Sequence, residues 1–257
     1  MSQIKTPAEI ALMREGGKIL REILLRLKQE VKIGITTKSL DLLSRKLIKV
    51  AGVEPAFLGY RPEGATKAYP AALCISVNDV VVHGLPSGYI LKTGDVVSID
   101  AGIKHKGFYS DSAFTVGLGE VPPLIKKLIK TTEQSLALGI KQAKAGKRLG
   151  DIGYAIQKYS EGNGFSVIRS LTGHGIGRHL HEEPNVFNFG KPKTGERLEV
   201  GMVIAIEPML SSSKSNGKIK SLPDDSFATS DGSISAHFEH TVAITASGPE
   251  VLTGKLF

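Results

Sequence analysis

Cysteine is nearly absent from the 257-residue chain, where Cys74 stands alone. An internal disulfide framework and a multi-cysteine zinc ribbon are therefore excluded, and any metal must be held mainly by His, Asp and Glu. No apolar run approaches the roughly 18 residues of a membrane span. No basic-then-apolar leader follows Met1. The expectation is a cytoplasmic protein with no membrane partner. A dense basic run is also missing. The formal net charge is +8, but the cations are spread along amphipathic segments, as at Arg26, Lys28 and Lys32 or Lys126, Lys127 and Lys130, with little aromatic interleaving. That pattern describes a solvated basic surface rather than a dedicated nucleic-acid site, and it is compatible with loose, transient attraction to a ribosome. A chain of this length forms one large domain or two closely joined halves.

The most informative stretch is Val96 to Val116, two β-branched, apolar runs joined by the polar Lys104-His105-Lys106-Gly107. It reads as a hairpin. With Ile103 facing Phe108, Asp100 and Asp111 are directly opposed. Like charges roughly 5 Å apart in a mostly apolar sheet repel unless a shared proton or a cation neutralises them. A register off by one leaves instead one aspartate facing solvent.

Before this hairpin, Thr6-Pro7-Ala8-Glu9 is a capping box with proline at the first helical position. Apolar residues follow at helical spacing through Ile10, Met13, Leu20, Leu24, Leu27 and Val31, with Gly34 as a stop. A second helix spans Thr37 to Val50. Strand character begins at Ala72 and ends at His83-Gly84, and the run Val80-Val81-Val82 suggests burial on both faces. After the hairpin, Pro122-Pro123 starts a helix to about Lys144, stopped by Gly146, and a shorter helix runs from Gly150 to Ser160. The order helix, helix, strands thus occurs twice. It suggests a single domain with pseudo-repeat halves of about 1–120 and 121–257, although no residue-level repeat accompanies it.

In LTGHGIGRHLHEEPNV, Gly173, Gly175 and Gly177 disfavour a regular helix, which places His174 and His181 on either side of an irregular loop. A zincin reading of His181-Glu182-Glu183 fails because Asn185 stands where its second histidine must be. Two further strand segments carry Glu207, before Pro208, and Glu239. Acidic side chains are rarely buried unpaired. Taken singly, each is equally an edge-strand residue facing water, and His83 alone is an ordinary strand-end histidine. The stretch from Ser211 to Ser235, rich in Ser, Lys, Gly and Asp, reads as a surface excursion. Taken together, four strand carboxylates and one histidine are too oxygen-rich for an ordinary single zinc. They suit two divalent ions about 3.5 to 4 Å apart that activate a water for hydrolysis.

The segments Ser76–Gly84, Ser98–Gly102, Ser110-Asp111, Thr172–Gly177, His181–Pro184, Ile206–Pro208 and Phe238–Thr241 closely resemble the type I methionine aminopeptidase family, in order and across nearly the whole chain. The resemblance implies an α+β pita-bread fold, in which two pseudo-symmetric halves form a curved antiparallel sheet with helices on its outer face. It implies a site for two divalent metal ions, Co, Mn, Fe or Zn, held by Asp100, Asp111, His174, Glu207 and Glu239. Asp111 and Glu239 match the bridging carboxylates, Asp100 chelates one ion, and His174 with Glu207 completes the other. The implied reaction removes the initiator methionine from nascent polypeptide N-termini whose second residue is small. A metal-bridging hydroxide attacks the scissile carbonyl, with Glu207 as proton shuttle. His181 contacts the carbonyl or oxyanion, and His83 contacts the amide nitrogen. Tyr60, Tyr69 and Cys74, with His83, belong to the methionine pocket, and Phe227 is the candidate for an aromatic wall. His179, His237 and His240 are not expected as ligands, His105 belongs to the turn, and a monomer is expected.

Three rivals differ in what they require. An X-Pro aminopeptidase or prolidase usually carries a sizeable additional N-terminal domain, and a type II methionine aminopeptidase a helical insertion in its second half. A pita-bread protein turned binding module would have lost metal ligands, whereas all five are present.

Overall fold

The computed structural model describes residues 3–61, 67–213 and 217–254. Helix α1 (Pro7–Glu30) starts as its capping box requires: Thr6 Oγ1 accepts the Glu9 N–H, and the Glu9 carboxylate accepts the Thr6 N–H at 2.8 Å. Its buried stripe includes Met13, Leu20, Leu24 and Leu27. Gly34, at φ +90°, takes the left-handed turn that follows. Helix α2 (Thr37–Val50) comes next, then the short strands β1 (Glu54–Pro55), β2 (Leu73–Val77) and β3 (Val80–Val82). The segment beginning at Ala72 is therefore broken at Asn78-Asp79, where Asn78 has φ 59°, and its two strands enter different sheets.

Strands β4 (Val96–His105) and β5 (Phe108–Gly117) form the long hairpin, and helices α3 (Pro123–Gln142) and α4 (Leu149–Gly162) pack on each other. The remaining chain supplies β6 (Ser166–Val167), β7 (Thr172–Gly175), β8 (Glu182–Phe187), β9 (Val203–Ile206) and β10 (Met209–Ser211). After these come β11 (Ile219–Ser221), β12 (Phe227–Thr229), β13 (Ser235–His237), β14 (Glu239–Thr245) and β15 (Gly248–Val251). A nine-stranded antiparallel sheet runs β1-β4-β5-β14-β9-β7-β8, with β2 also on β4 and β15 also on β14.

Strand alternation sorts this sheet into two chemistries. Val97, Ile99, Ala101 and Ile103 of β4, with Phe114, Ile204, Ile206, Val242 and Ile244, join the α1 leucines in one buried cluster. Burying each such leucine contributes about 2 kcal/mol. The opposite face carries Asp100 beside Ala113, with Glu239 on the other side of Ala113.

Two expectations give way to the structure. The hairpin turn is the two-residue Lys106-Gly107, both at positive φ, as a twist-matched tight turn demands. The register is therefore shifted by two: Asp100 pairs with Ala113 and Asp111 with Gly102. Because the shift is even, both aspartates remain on one face as diagonal neighbours. His174 lies within β7 and His181 directly before β8, on either side of the intervening loop as expected, and the short β7 tolerates its glycines because neighbouring backbone comes close. A Cβ on Gly173 would lie 2.3 Å from the Ala205 carbonyl oxygen. Finally, the segment between Ser211 and Ser235 is no plain surface excursion, since β12 pairs with β3 and β11 with β12. Residues 214–216 of it lie outside the described residues, as does most of the stretch from Arg61 to Ala68.

Candidate metal centre

Asp100, Asp111 and Glu239 lie on strands and Glu207 directly follows β9; the strands of Asp111 and Glu239 are secured independently of their carboxylates. The β5–β14 ladder has only two backbone pairs, Glu239 with Ala113 and His240 with Ser112. Hydroxyl side chains extend it. Thr241 Oγ1 accepts the Asp111 N–H at 3.0 Å and donates to the Asp111 carbonyl at 2.8 Å. Ser112 Oγ donates to the Glu239 carbonyl at 2.6 Å. Thr115 Oγ1 makes the same two-way bridge to the His237 backbone. The carboxylates of two distant segments are thus held side by side without spending their own oxygens on structure.

Donor atoms of Asp111, His174 and Glu239 lie within 4.8 Å of one another, and all three residues are buried. Asp100 and Glu207 line the same cavity. Glu207 Oε1 is 3.7 Å from His174 Nε2, and its Oε2 is 3.4 Å from His237 Nε2. His174 Nδ1 donates to the Gly175 carbonyl at 2.8 Å, which leaves Nε2 as the free acceptor facing the carboxylates.

Electrostatically the cluster is under-neutralised. Burial, and then the Asp111 charge, push Asp100 well above the usual carboxylate range. Burial likewise raises Glu239 well above it, Asp111 to about 6 and Glu207 to about 8. Asp100 Oδ1, Asp111 Oδ1 and Glu239 Oε1 are buried without a hydrogen-bond partner. Orphaned anionic oxygens are costly in an interior of low dielectric. Four carboxylates and one imidazole acceptor are a donor set that a divalent cation satisfies. The residues present therefore fit a divalent metal.

A cavity of about 1230 Å³ opens onto this cluster. All five sequence-predicted ligands line it, and so do Tyr60, Tyr69, Cys74, His83 and His181. Tyr69 meets Phe57 edge to face at 6.5 Å, and its hydroxyl lies 3.0 and 3.1 Å from the carbonyl oxygens of Leu73 and Gly84, so this wall is rigid. Cys74 is buried, and desolvation raises its thiol well above the ordinary range. His83 takes the left-handed conformation at φ 61°, an uncommon one for a residue with a side chain. Its ring stands 5.8 Å from that of Phe227 on β12. The rings of His83 and His181 present surface to the cavity, yet the enclosing walls lower their pKa values to about 4 and about 3.

Of the histidines set aside from ligation, His240 bonds Thr253 Oγ1 at 2.8 Å and His105 faces Glu15 at 3.3 Å. His237 is more involved than expected. Its ring is buried and its Nε2 approaches Glu207. The sequence signal was its position two residues before Glu239, which puts the two side chains on one side of an extended chain. Composition also gave no hint of the buried Lys5–Glu182 ion pair beneath the His181 loop.

This geometry has close counterparts. A methionine aminopeptidase from Clostridium perfringens is 49% identical over 97% of this chain and 98% of its own length. Methionine aminopeptidase 1 from Bacillus subtilis is 44% identical over 97% and 98%. The crystal structure of methionine aminopeptidase from Thermotoga maritima superposes with a TM-score of 0.94 at 42% identity, covering 99% of this chain and 100% of that one. Prolidase from Pyrococcus furiosus shares the fold, with a TM-score of 0.77 at 22% identity, but this chain spans 65% of it. The model of metallopeptidase family M24 matches residues 11–246, which include every carboxylate and histidine of the centre, and the chain belongs to that family.

Proposed function

We propose that Asp100, Asp111, His174, Glu207 and Glu239 hold the divalent metal with which this chain removes N-terminal methionine from polypeptides. The observation that carries this assignment is the buried, under-neutralised carboxylate cluster on the wall of a cavity whose other walls are largely apolar. Five donors, four of them anionic, suit two ions better than one. When bound, divalent metal supplies Lewis acidity and a water of lowered pKa.

The chain's own residues do the rest. Burial keeps the Tyr60 phenol protonated, and its hydroxyl lies 2.6 Å from His181 Nδ1, where this mechanism makes it the donor. The neutral His181 ring therefore carries its proton on Nε2, where it donates to the substrate carbonyl oxygen and, more strongly, to the oxyanion that develops from it. His83, also neutral, contacts the scissile amide nitrogen from its strained position at the end of β3. Glu207 shuttles the proton from the attacking water to the leaving amine, from its place on the cavity wall beside His174. Tyr60, Tyr69, Cys74 and Phe227 enclose the methionine side chain, and a small second residue is required of the substrate. The two α-α-β halves act as a single catalytic unit, because the main sheet continues from β5 to β14. The substrates are nascent chains, met in the cytoplasm by a monomer that the basic surface draws only transiently to the ribosome. Among the described residues no helix is long and apolar enough to cross a membrane.

The decisive experiment measures residue release from Met-Ala-Ser and from Ala-Pro-Ala after reconstitution with Co, Mn or Fe(II). Metal-dependent release of methionine alone supports the reading. Cleavage of the proline peptide alone would transfer the chain to the X-Pro branch, and bound metal without hydrolysis would make it a binding module.

A further inference from the structure

The N-terminal segment reaches the catalytic cavity through a buried ion pair. Lys5 precedes α1, yet it is 2% exposed. Its Nζ donates to Glu182 Oε2, and the two side chains are 1% and 2% exposed. Nζ also donates to the Gln3 carbonyl at 3.1 Å, and the Lys5 N–H to the Gly201 carbonyl at 2.8 Å. The lysine is thus held at both ends.

Glu182 is the residue after His181. Its second oxygen, Oε1, accepts the His179 N–H at 3.0 Å. The Gly177 N–H donates to the His179 carbonyl at 3.1 Å, and the Gly177 carbonyl accepts from Tyr109 of β5 at 2.8 Å. The turn 177–182 is therefore tied to the sheet on one side and to Lys5 on the other. Gly177 is part of this arrangement, because a Cβ there would stand 2.2 Å from Lys5 Cε and 2.8 Å from its Nζ. Only glycine lets the lysine pass. Two charges buried together rarely add net stability over apolar residues of the same shape, so their presence calls for another reason. Here that reason is geometric, since an ion pair fixes direction where apolar packing does not.

We propose that the Lys5–Glu182 pair is a latch that positions His181 toward the substrate carbonyl, which makes Lys5 and Glu182 positioning residues for the hydrolysis. The proposal rests on the reading of His181 as the carbonyl contact. It separates two jobs within one loop, with Tyr60 orienting the ring and Lys5–Glu182 holding the backbone from which the ring projects.

The test is a double-mutant cycle on the metal-reconstituted chain with Met-Ala-Ser, comparing K5M/E182Q, H181A and the combination of all three. K5M alone strands a buried carboxylate, whereas K5M/E182Q removes both charges and leaves the new side-chain amide oxygen to accept from the His179 N–H. The expected result for K5M/E182Q is a melting temperature and metal affinity near wild type, with kcat lower by about ten- to a hundredfold. In the H181A background the same pair of substitutions changes kcat by less than about twofold, because the group being positioned is gone. Wild-type kcat in K5M/E182Q, or a full additional loss on top of H181A, would overturn the latch. H181A with wild-type turnover would instead sink the reading of His181, and the latch with it. If K5M/E182Q does not fold, E182Q alone, which keeps a partner for Lys5, is carried through the same cycle, and the same two outcomes decide.

Discussion

The Tyr60 hydroxyl and His181 Nδ1 meet at 2.6 Å, although 121 residues separate them in the chain. Their rings cross edge to face at 5.2 Å, and the His181 ring lies in turn against that of His174 at 4.4 Å. In the proposed mechanism the phenol is the donor in this hydrogen bond, which puts the His181 proton on Nε2. Tyr60→Phe keeps the ring packing and removes only this bond. The expected loss in kcat/KM is about fivefold, corresponding to about 1 kcal/mol, with metal affinity unchanged. Steady-state kinetics with unaltered kcat/KM would show that the tautomer is set by something else.

Replacing Asp111 by Asn separates the catalytic use of the cluster from its cost. Activity on Met-Ala-Ser should fall by more than about 100-fold, since even partners one step removed from a metal cost up to that much. In the metal-free chain, however, the same substitution should raise the melting temperature at pH 8, because Asp111, raised only to about 6, is ionised there and its buried charge lacks a counter-ion. A metal-free variant that melts below the metal-free wild type would contradict the electrostatic account.

Stability of the metal-free chain should decline as pH rises from 6.5 to 8. Glu207, raised to about 8, holds its proton in the folded state while the unfolded carboxyl has lost it, so the folded state binds more protons and rising pH disfavours it. His83, His181 and His237, lowered to between about 3 and about 4, act in the opposite direction, but only below about 6.5, where the unfolded histidines gain protons. Metal binding must displace the retained protons. Calorimetry in buffers of different ionisation enthalpy should therefore find more protons released per metal at pH 7 than at pH 9.5. Equal release at both would rule out raised carboxyl pKa values.

Gly102 lies opposite Asp111 in the β4–β5 ladder. A Cβ there would meet Ala56 Cβ at 2.8 Å, Phe57 Cε1 at 3.0 Å and Asp111 Oδ1 at 3.4 Å. Gly102→Ala should destabilise by about 1–3 kcal/mol in urea unfolding, as overpacking does, and should weaken metal binding by crowding Asp111. Wild-type metal affinity in this variant would mean that Phe57 alone yields.

The helices were readable because their signals are local. Thr6 and Glu9 cap α1, the apolar spacing marks its buried stripe, and the glycines at 34 and 146 close the turns that follow α1 and α3 with positive φ. The four candidate carboxylates were legible for a different reason: an acidic side chain in or at the end of a β-prone run conflicts with its surroundings, and such conflict marks function. Register was not legible. Whether Lys106-Gly107 or a longer loop turns the hairpin depends on strand twist, which no single residue states. Nor was the pairing of β12 with β3, which brings Phe227 against His83, because elements so far apart in the chain leave no periodic trace of their contact.

By itself, then, the sequence determined the helices, the strand chemistry, the family resemblance and the set of acidic and imidazole groups that a metal requires, all of which follow from residue type and local spacing. Only the tertiary structure decided that Asp100 and Asp111 are diagonal rather than opposed, that the Tyr60 hydroxyl meets His181 Nδ1, that His237 approaches Glu207, and that Lys5 pairs with Glu182 beside His181. Those relationships join residues far apart in the chain, and their distances come from how sheet twist, glycine-permitted close approach and buried charge pairing are satisfied at once.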